Sequence, residues 1–153
     1  LDRLKGVFSL QLKTASLDKD LLYKKILFSL ATKGRQQIVC IKNDKNEIIH
    51  YSFIIPHCMK FSFMNKKDVC IGPCWTRDDW RGKGIYGKVL DYIAMYVLNI
   101  NPEADLFVLI RAANTSSNKG IKKAKYIPVG KIHKTRFLKH YKKMEMITSD
   151  MDC

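Results

Sequence analysis

Residues 81–87 read Arg-Gly-Lys-Gly-Ile-Tyr-Gly, and from there Ile85, Val89, Ile93, Val97 and Ile100 recur at helical spacing until Asn101-Pro102 closes the run. Three glycines make a poor helix start unless the backbone itself is needed there. Glycine lets the main chain approach a ligand closely, and the N–H groups of a first helical turn have no acceptor within the helix. Those donors, the positive end of the helix dipole, and Lys83 and Lys88 nearby make an anion site suited to phosphate. The plainer alternative is a helix N-terminus with permissive glycines and no ligand.

Two familiar phosphate motifs fit badly. Gly82, Gly84 and Gly87 spell GxGxxG, but a dinucleotide fold needs an apolar strand running directly into the first glycine. Here the approach is Asp78-Asp79-Trp80-Arg81, and the strand after the helix ends at Arg111 where an acid is wanted. A nucleotide P-loop needs Gly-Lys-Ser/Thr, and Gly87-Lys88 is followed by Val89.

The elements around the loop define the fold class. Val7–Leu12 predicts a short strand, and Ser16 caps a helix bearing Leu17, Leu21, Leu22 and Phe28, stopped by Gly34. Gln36–Lys42 and Glu47–Ile55 predict a hairpin about Asn43-Asp44-Lys45-Asn46, ended by Pro56. Phe61, Phe63 and Met64 follow in an irregular, exposed-looking stretch. Asp68–Thr76 is a strand in which Gly72-Pro73 disturbs the pairing, since proline has no N–H to give. After the central helix, Leu106–Ile110 reads as a strand covered on both faces. A short basic helix near Ser116–Ala124 and a strand near Tyr126–His133 follow, and the segment from Phe137 to Met146 fits a strand or a helix. The order β-α-β-β-β-α-β-α-β predicts one α/β domain over residues 1–153, with a mixed β-sheet flanked by helices.

Composition narrows the class further. No stretch approaches the ~18 uninterrupted apolar residues of a membrane span. Leu1-Asp2-Arg3-Leu4-Lys5 lacks the basic-then-apolar order of a signal peptide, so the expected location is cytoplasmic. Cys40, Cys58, Cys70, Cys74 and Cys153 contain no CxxC pair and read as small buried hydrophobes, with no metal expected. Cys70 and Cys74, four apart in one strand, are expected on a common face. The net charge of +14 favours an anionic partner: nucleic acid, an acidic membrane surface or a polyphosphate cofactor.

At Arg81–Tyr86 the chain resembles the GNAT superfamily of CoA-dependent N-acetyltransferases, whose hallmark is Gln/Arg-x-x-Gly-x-Gly/Ala. Arg81, Gly84 and the spacing match, and Tyr86 stands where a small residue is usual. Downstream, Asn114, Ser117 and the pair Lys125-Tyr126, in the place of the usual Gly-Phe, extend the likeness over Gln36–His133. The resemblance implies an acyltransferase moving an acetyl group from acetyl-CoA to an amine by direct attack. It implies that Arg81, Gly82, Lys83, Gly84, Ile85, Tyr86 and Gly87 hold the CoA pyrophosphate, helped by Asn114 and Ser117. The pantetheine arm would lie in a splayed parallel pair, Asp68–Thr76 against Leu106–Ile110. A backbone N–H near Trp75 would meet the thioester carbonyl.

The catalytic residues are less clear-cut. Many members place a proton-donating tyrosine seven residues after the asparagine, and here Ile121 occupies that position. Tyr126 is then the nearest candidate acid, or a packing residue. Asp68 stands where some members carry a general base, and it equally fits a surface acid after Lys66-Lys67. His50 and His57 could serve too, although a lone strand histidine is more often structural. Deprotonating a lysine amine at neutral pH costs ~4–5 kcal/mol, against ~1.4 kcal/mol for an amine of pKa near 8. A site without an evident acid–base pair therefore suits a weakly basic acceptor. Sugar-modifying members are similar through Arg81–Tyr86 and Ser117–Tyr126, which points to an amino sugar or sugar nucleotide. A protein or peptide amine is the alternative acceptor.

The rival class is a basic nucleic-acid-binding module. From Lys119 to Lys143 the chain carries ten lysines and arginines and no acid, with Tyr126, Phe137 and Tyr141 as stacking candidates. The same stretch fits a solvated basic face or docking on an acidic membrane, to which Phe61, Phe63 and Met64 could add. Covering the acceptor pocket is the simpler job for those three.

Overall fold

Nearly every residue of Ile48–Pro56 is buried in the computed structural model, which describes residues 19–111, 113–134 and 141–145. That strand, β2, lies second in a four-stranded sheet ordered β1-β2-β3-β4, with β1 Gln37–Lys42, β3 Val69–Thr76 and β4 Leu106–Val108. β1–β2 and β2–β3 are antiparallel, and β3–β4 is parallel. Helices α1 (Lys19–Thr32), α2 (Ile85–Ile100) and α3 (Thr115–Lys123) flank the sheet, and β5 (Lys131–Lys134) pairs with β6 (Tyr141–Glu145) as a separate ribbon. No described helix is long and apolar enough to cross a membrane. The expected strand Val7–Leu12, Ser16, Leu17 and Cys153 lie outside the described residues.

Two apolar layers sandwich the sheet. Leu21 and Phe28 of α1 pack on Tyr51, Phe53, Ile55 and Cys70. Val89, Leu90, Ile93 and Val97 of α2 pack on Val39, Ile54 and Ile71 of the opposite face. The hairpin turns where expected. The Asn43 side-chain oxygen accepts the N–H groups of Lys45 at 3.1 Å and Glu47 at 2.9 Å.

β3 departs from simple alternation. Ile54 pairs with Ile71 and Ser52 with Cys74, so three steps along β3 answer two along β2. The extra residue falls at Gly72-Pro73 and reverses which side chains point up. Cys70 consequently packs on the α1 face and Cys74 on the α2 face, not on the common face that their spacing predicted.

Three other expectations change. Phe61 and Met64 are core residues and Phe63 packs against that core, with its ring 5.4 Å from that of Phe107, so none of the three is an exposed cover. β4 stops at Val108 and is only half-buried, because it is the last strand of the described four-stranded sheet. The strand expected over Tyr126–His133 begins only at Lys131, since Lys125 and Tyr126 are taken up by the ending of α3, with Tyr126 packed in the α2 layer.

Candidate functional site

The site grows from the place where β3 and β4 part. Their pairing runs Val69↔Leu106, Cys70↔Phe107 and Ile71↔Val108 and ends there, while β3 continues to Thr76 along β2 alone. Residues 72–76 therefore have no β4 partner, and the glycine loop opens directly beyond them. Trp75 lies in this unpartnered stretch, with its ring turned to the other face and stacked on Tyr51 at 5.5 Å.

Arg77 ties the loop down, donating to Glu47 of the hairpin turn at 2.9 Å and to Asp79 at 2.7 Å. A short 3-10 turn, Asp78–Trp80, leads to Arg81, which donates to the Thr76 carbonyl at 3.1 Å. The Lys83 ammonium lies 4.3 Å from the Trp80 ring centre. Gly82 and Gly84 have φ of 76° and 74°, and a Cβ on either would meet nothing within 4 Å. Glycine is thus required by the left-handed backbone, and the space over the loop is open. The first hydrogen bond of α2 runs from the Lys88 N–H to the Gly84 carbonyl. Among the described residues, the N–H groups of residues 82–87 have no acceptor in the protein. Six donors at the positive end of a 16-residue helix suit a diphosphate.

Behind the loop, the bulge turns a polar row toward α2. The His50 ring bonds Thr76 Oγ1 through Nδ1 and Ser52 Oγ through Nε2, each at 2.8 Å. Ser52 in turn bonds the Cys74 thiol, which bonds the Tyr86 hydroxyl. Burial drives the ionisation of the whole row. It lowers His50 to about 4, so the imidazole is neutral, and raises Cys74 to about 11. Tyr86 is pushed well above the ordinary phenol range, first by burial and then by neighbouring Cys74 and Tyr126. Sequence reasoning missed this row, because only the bulge brings Cys74 and Thr76 onto the face of His50 and Ser52.

Tyr86, where a small residue was expected, is accommodated by Gly120 of α3: a Cβ there would sit 2.8 Å from the Tyr86 ring. Gly120 was also missed, since nothing in the sequence links it to Tyr86. Tyr126 enters the same layer. Its hydroxyl is buried without a hydrogen-bond partner, and burial, followed by nearby Asp91 and Cys74, raises it to about 12.

The end of α3 explains that placement. Lys125 takes φ 59°, the Tyr126 N–H reaches the Ile121 carbonyl at 3.2 Å, and the Lys125 N–H reaches that of Lys122 at 3.1 Å. This is a Schellman ending, in which the residue after the left-handed one packs on the last inward helical residue. Tyr126 and Ile121 do so in the α2 layer. The left-handed position is where the resembled family has glycine.

The other expected site residues take structural contacts. Asn114 caps α3, its Oδ1 accepting the Ser117 N–H at 3.1 Å. Asp68 is almost fully buried at the head of β3, so it is not a surface acid. Its oxygens accept the N–H groups of Asn65 at 2.6 Å and Asp105 at 3.2 Å, clasping the loop before β3 to the approach to β4. His57 accepts from Arg35 through its carbonyl. Among the described residues, no three His, Cys, Asp or Glu side chains gather as a metal site.

No protein-family model matches the sequence, and no curated protein matches it. Solved structures do match. The ribosomal-protein-S5-alanine acetyltransferase of Vibrio fischeri covers 82% of this chain and 65% of its own length, with TM-score 0.57 and 13% identity. A GNAT-family acetyltransferase from Staphylococcus aureus covers 71% and 64%, with TM-score 0.53 and 14% identity. A GNAT-superfamily phosphinothricin acetyltransferase from Sinorhizobium meliloti, in complex with AcCoA, covers 67% and 53%, with TM-score 0.54 and 17% identity. At these identities the likeness is one of fold, a mixed sheet with one parallel pair between helices.

Proposed function

We propose that this chain transfers an acetyl group from acetyl-CoA to the amine of a small acceptor. One observation carries the reading: uncommitted amide donors at residues 82–87 stand where β3 and β4 stop pairing. In this reading Arg81, Gly82, Lys83, Gly84, Ile85, Tyr86 and Gly87 hold the pyrophosphate of CoA, and the pantetheine arm enters the gap beside residues 72–76. Asn114 and Ser117 contribute by fixing the start of α3 beside it. Acetyl-CoA supplies the activated acyl group. The N–H groups of β3 alternate between its two edges; that of Trp75 faces Tyr51 of β2, as Arg77 N–H faces the Ile49 carbonyl, so the one that polarises the carbonyl under attack is that of Cys74, on the open edge. The buried Tyr126 hydroxyl gives a proton to the departing thiolate and regains one from the nitrogen that has attacked. Asp68 acts from the head of β3 as the clasp that holds both strands in register.

The acceptor follows from what the site lacks. His50 is buried and neutral with both nitrogens engaged, and Asp68 is committed to backbone donors. Among the described residues no exposed acid–base pair is then at hand, which favours an amine of pKa near 8 over a lysine side chain by roughly 3 kcal/mol. We assign an amino sugar or sugar nucleotide as acceptor and place the reaction in the cytoplasm. A peptide α-amine has a similar pKa and is the alternative.

A thermal-shift series tests the reading. Acetyl-CoA raises the melting temperature, NAD does not, and Gly84→Phe abolishes the gain. An RNA oligonucleotide that stabilises the chain while acetyl-CoA does nothing would replace the enzyme with a binding module. Acetyl transfer to glucosamine, a peptide α-amine and a lysine side chain then ranks the acceptors, with lysine expected to be slowest.

A further inference from the structure

Residues 106–144 contain eleven lysines and arginines and no acid, and so carry most of the chain's +14. Lys119, Lys122 and Lys123 lie three and four apart on α3 and so share one helix face, which is exposed. Among the described residues these three, with Lys125, have no ion-pair partner. The Schellman turn at Lys125 sends Tyr126 inward and the next aliphatics outward: Ile127 is 78% exposed and Val129 46%. The chain thus presents Lys125, Ile127, Val129 and Lys131 on its surface beside the lysine face of α3. Two acids border this surface: Asp91 of α2, which acts on Tyr126, and Glu145, opposite Lys131 in the β5–β6 ribbon.

We infer that α3 and the turn to Lys131 form a peripheral docking surface for a bilayer rich in anionic headgroups. Lysines beside solvent-facing aliphatics match such a surface: ammonium groups meet the headgroups while Ile127 and Val129 enter the boundary beneath them. Single-stranded nucleic acid is matched less well by residues 115–131, because it binds on exposed aromatic faces and their one aromatic, Tyr126, is turned into the protein. The inference does not depend on acetyl transfer.

Co-sedimentation with vesicles tests it, using phosphatidylcholine alone and phosphatidylcholine with about one-third phosphatidylglycerol. The chain is expected to bind the anionic vesicles, ignore the neutral ones, and detach as salt shortens the reach of the charges. The pair Lys122→Glu and Lys123→Glu is expected to cut partitioning by roughly tenfold or more. Ile127→Ser, at a largely exposed position that leaves the fold intact, is expected to weaken binding severalfold without changing its salt dependence. Equal binding to both vesicles, binding to neither, full binding by both variants, or tighter binding to a single-stranded RNA oligonucleotide would each overturn the assignment.

Discussion

The two halves of β3 have opposite characters. Its head, Val69–Ile71, is paired on both edges and carries fully buried Cys70 and Ile71. Its tail, Gly72–Thr76, is paired on one edge and half-buried, and turns Cys74 and Thr76 onto a polar row. Gly72-Pro73 divides them. A single extra residue thus separates scaffold from site within eight residues of chain, because it changes pairing and facing together. The head supplies stability, and the tail supplies a gap and a set of directed polar groups.

The sharpest break in that comparison comes at the head. Ile71→Ala empties a fully buried position between the sheet and α2 and is expected to cost ~2–5 kcal/mol in urea unfolding. Trp75→Ala, on the half-buried tail, is expected to cost less; an equal or larger loss would abolish the distinction.

The polar row gives the next effect through pH. His50 sits near 4 in the folded chain against 6.5 unfolded. As pH falls below 6.5 the unfolded chain takes up a proton that the folded chain refuses, so stability is lost down to about pH 4. The full loss is about 3 kcal/mol. A His50→Gln variant, less stable at neutral pH, should show a flatter profile from 6.5 to 4. An unchanged slope would remove His50 as its source.

A smaller effect tests how the tail meets α3. Gly120→Ala forces a methyl against the Tyr86 ring and is expected to cost ~1–3 kcal/mol. In a Tyr86→Ala background the same change should cost almost nothing, and equal costs in both backgrounds would show no coupling. Smallest is a gain. Lys125→Gly relieves a left-handed lysine and is expected to add about 1 kcal/mol, seen as a higher melting temperature.

The parts of the fold with local signals were legible in the sequence. The helical spacing from Ile85 to Ile100, its Asn101-Pro102 stop and the Asn43 turn are each written in adjacent residues, and all three form as expected. Gly72-Pro73 signalled a disturbed ladder but not its consequence, since parity is decided by the partner strand. Hence Cys74 and Cys70 were assigned one face. Phe61 and Met64 were misread because an irregular segment has no periodicity to declare which side is buried. The glycine loop was legible as a helix start with left-handed glycines and open amide donors; its neighbours Gly120, Ser52 and Cys74 were not, being linked to it only through space.

Amide-resolved NMR titration with acetyl-CoA tests the central claim most directly. The account predicts that the N–H signals of residues 82–87 move first and furthest, with smaller shifts along 72–76 and almost none at 69–71. Unmoved loop amides at saturating acetyl-CoA, or the largest shifts elsewhere in the chain, would contradict it.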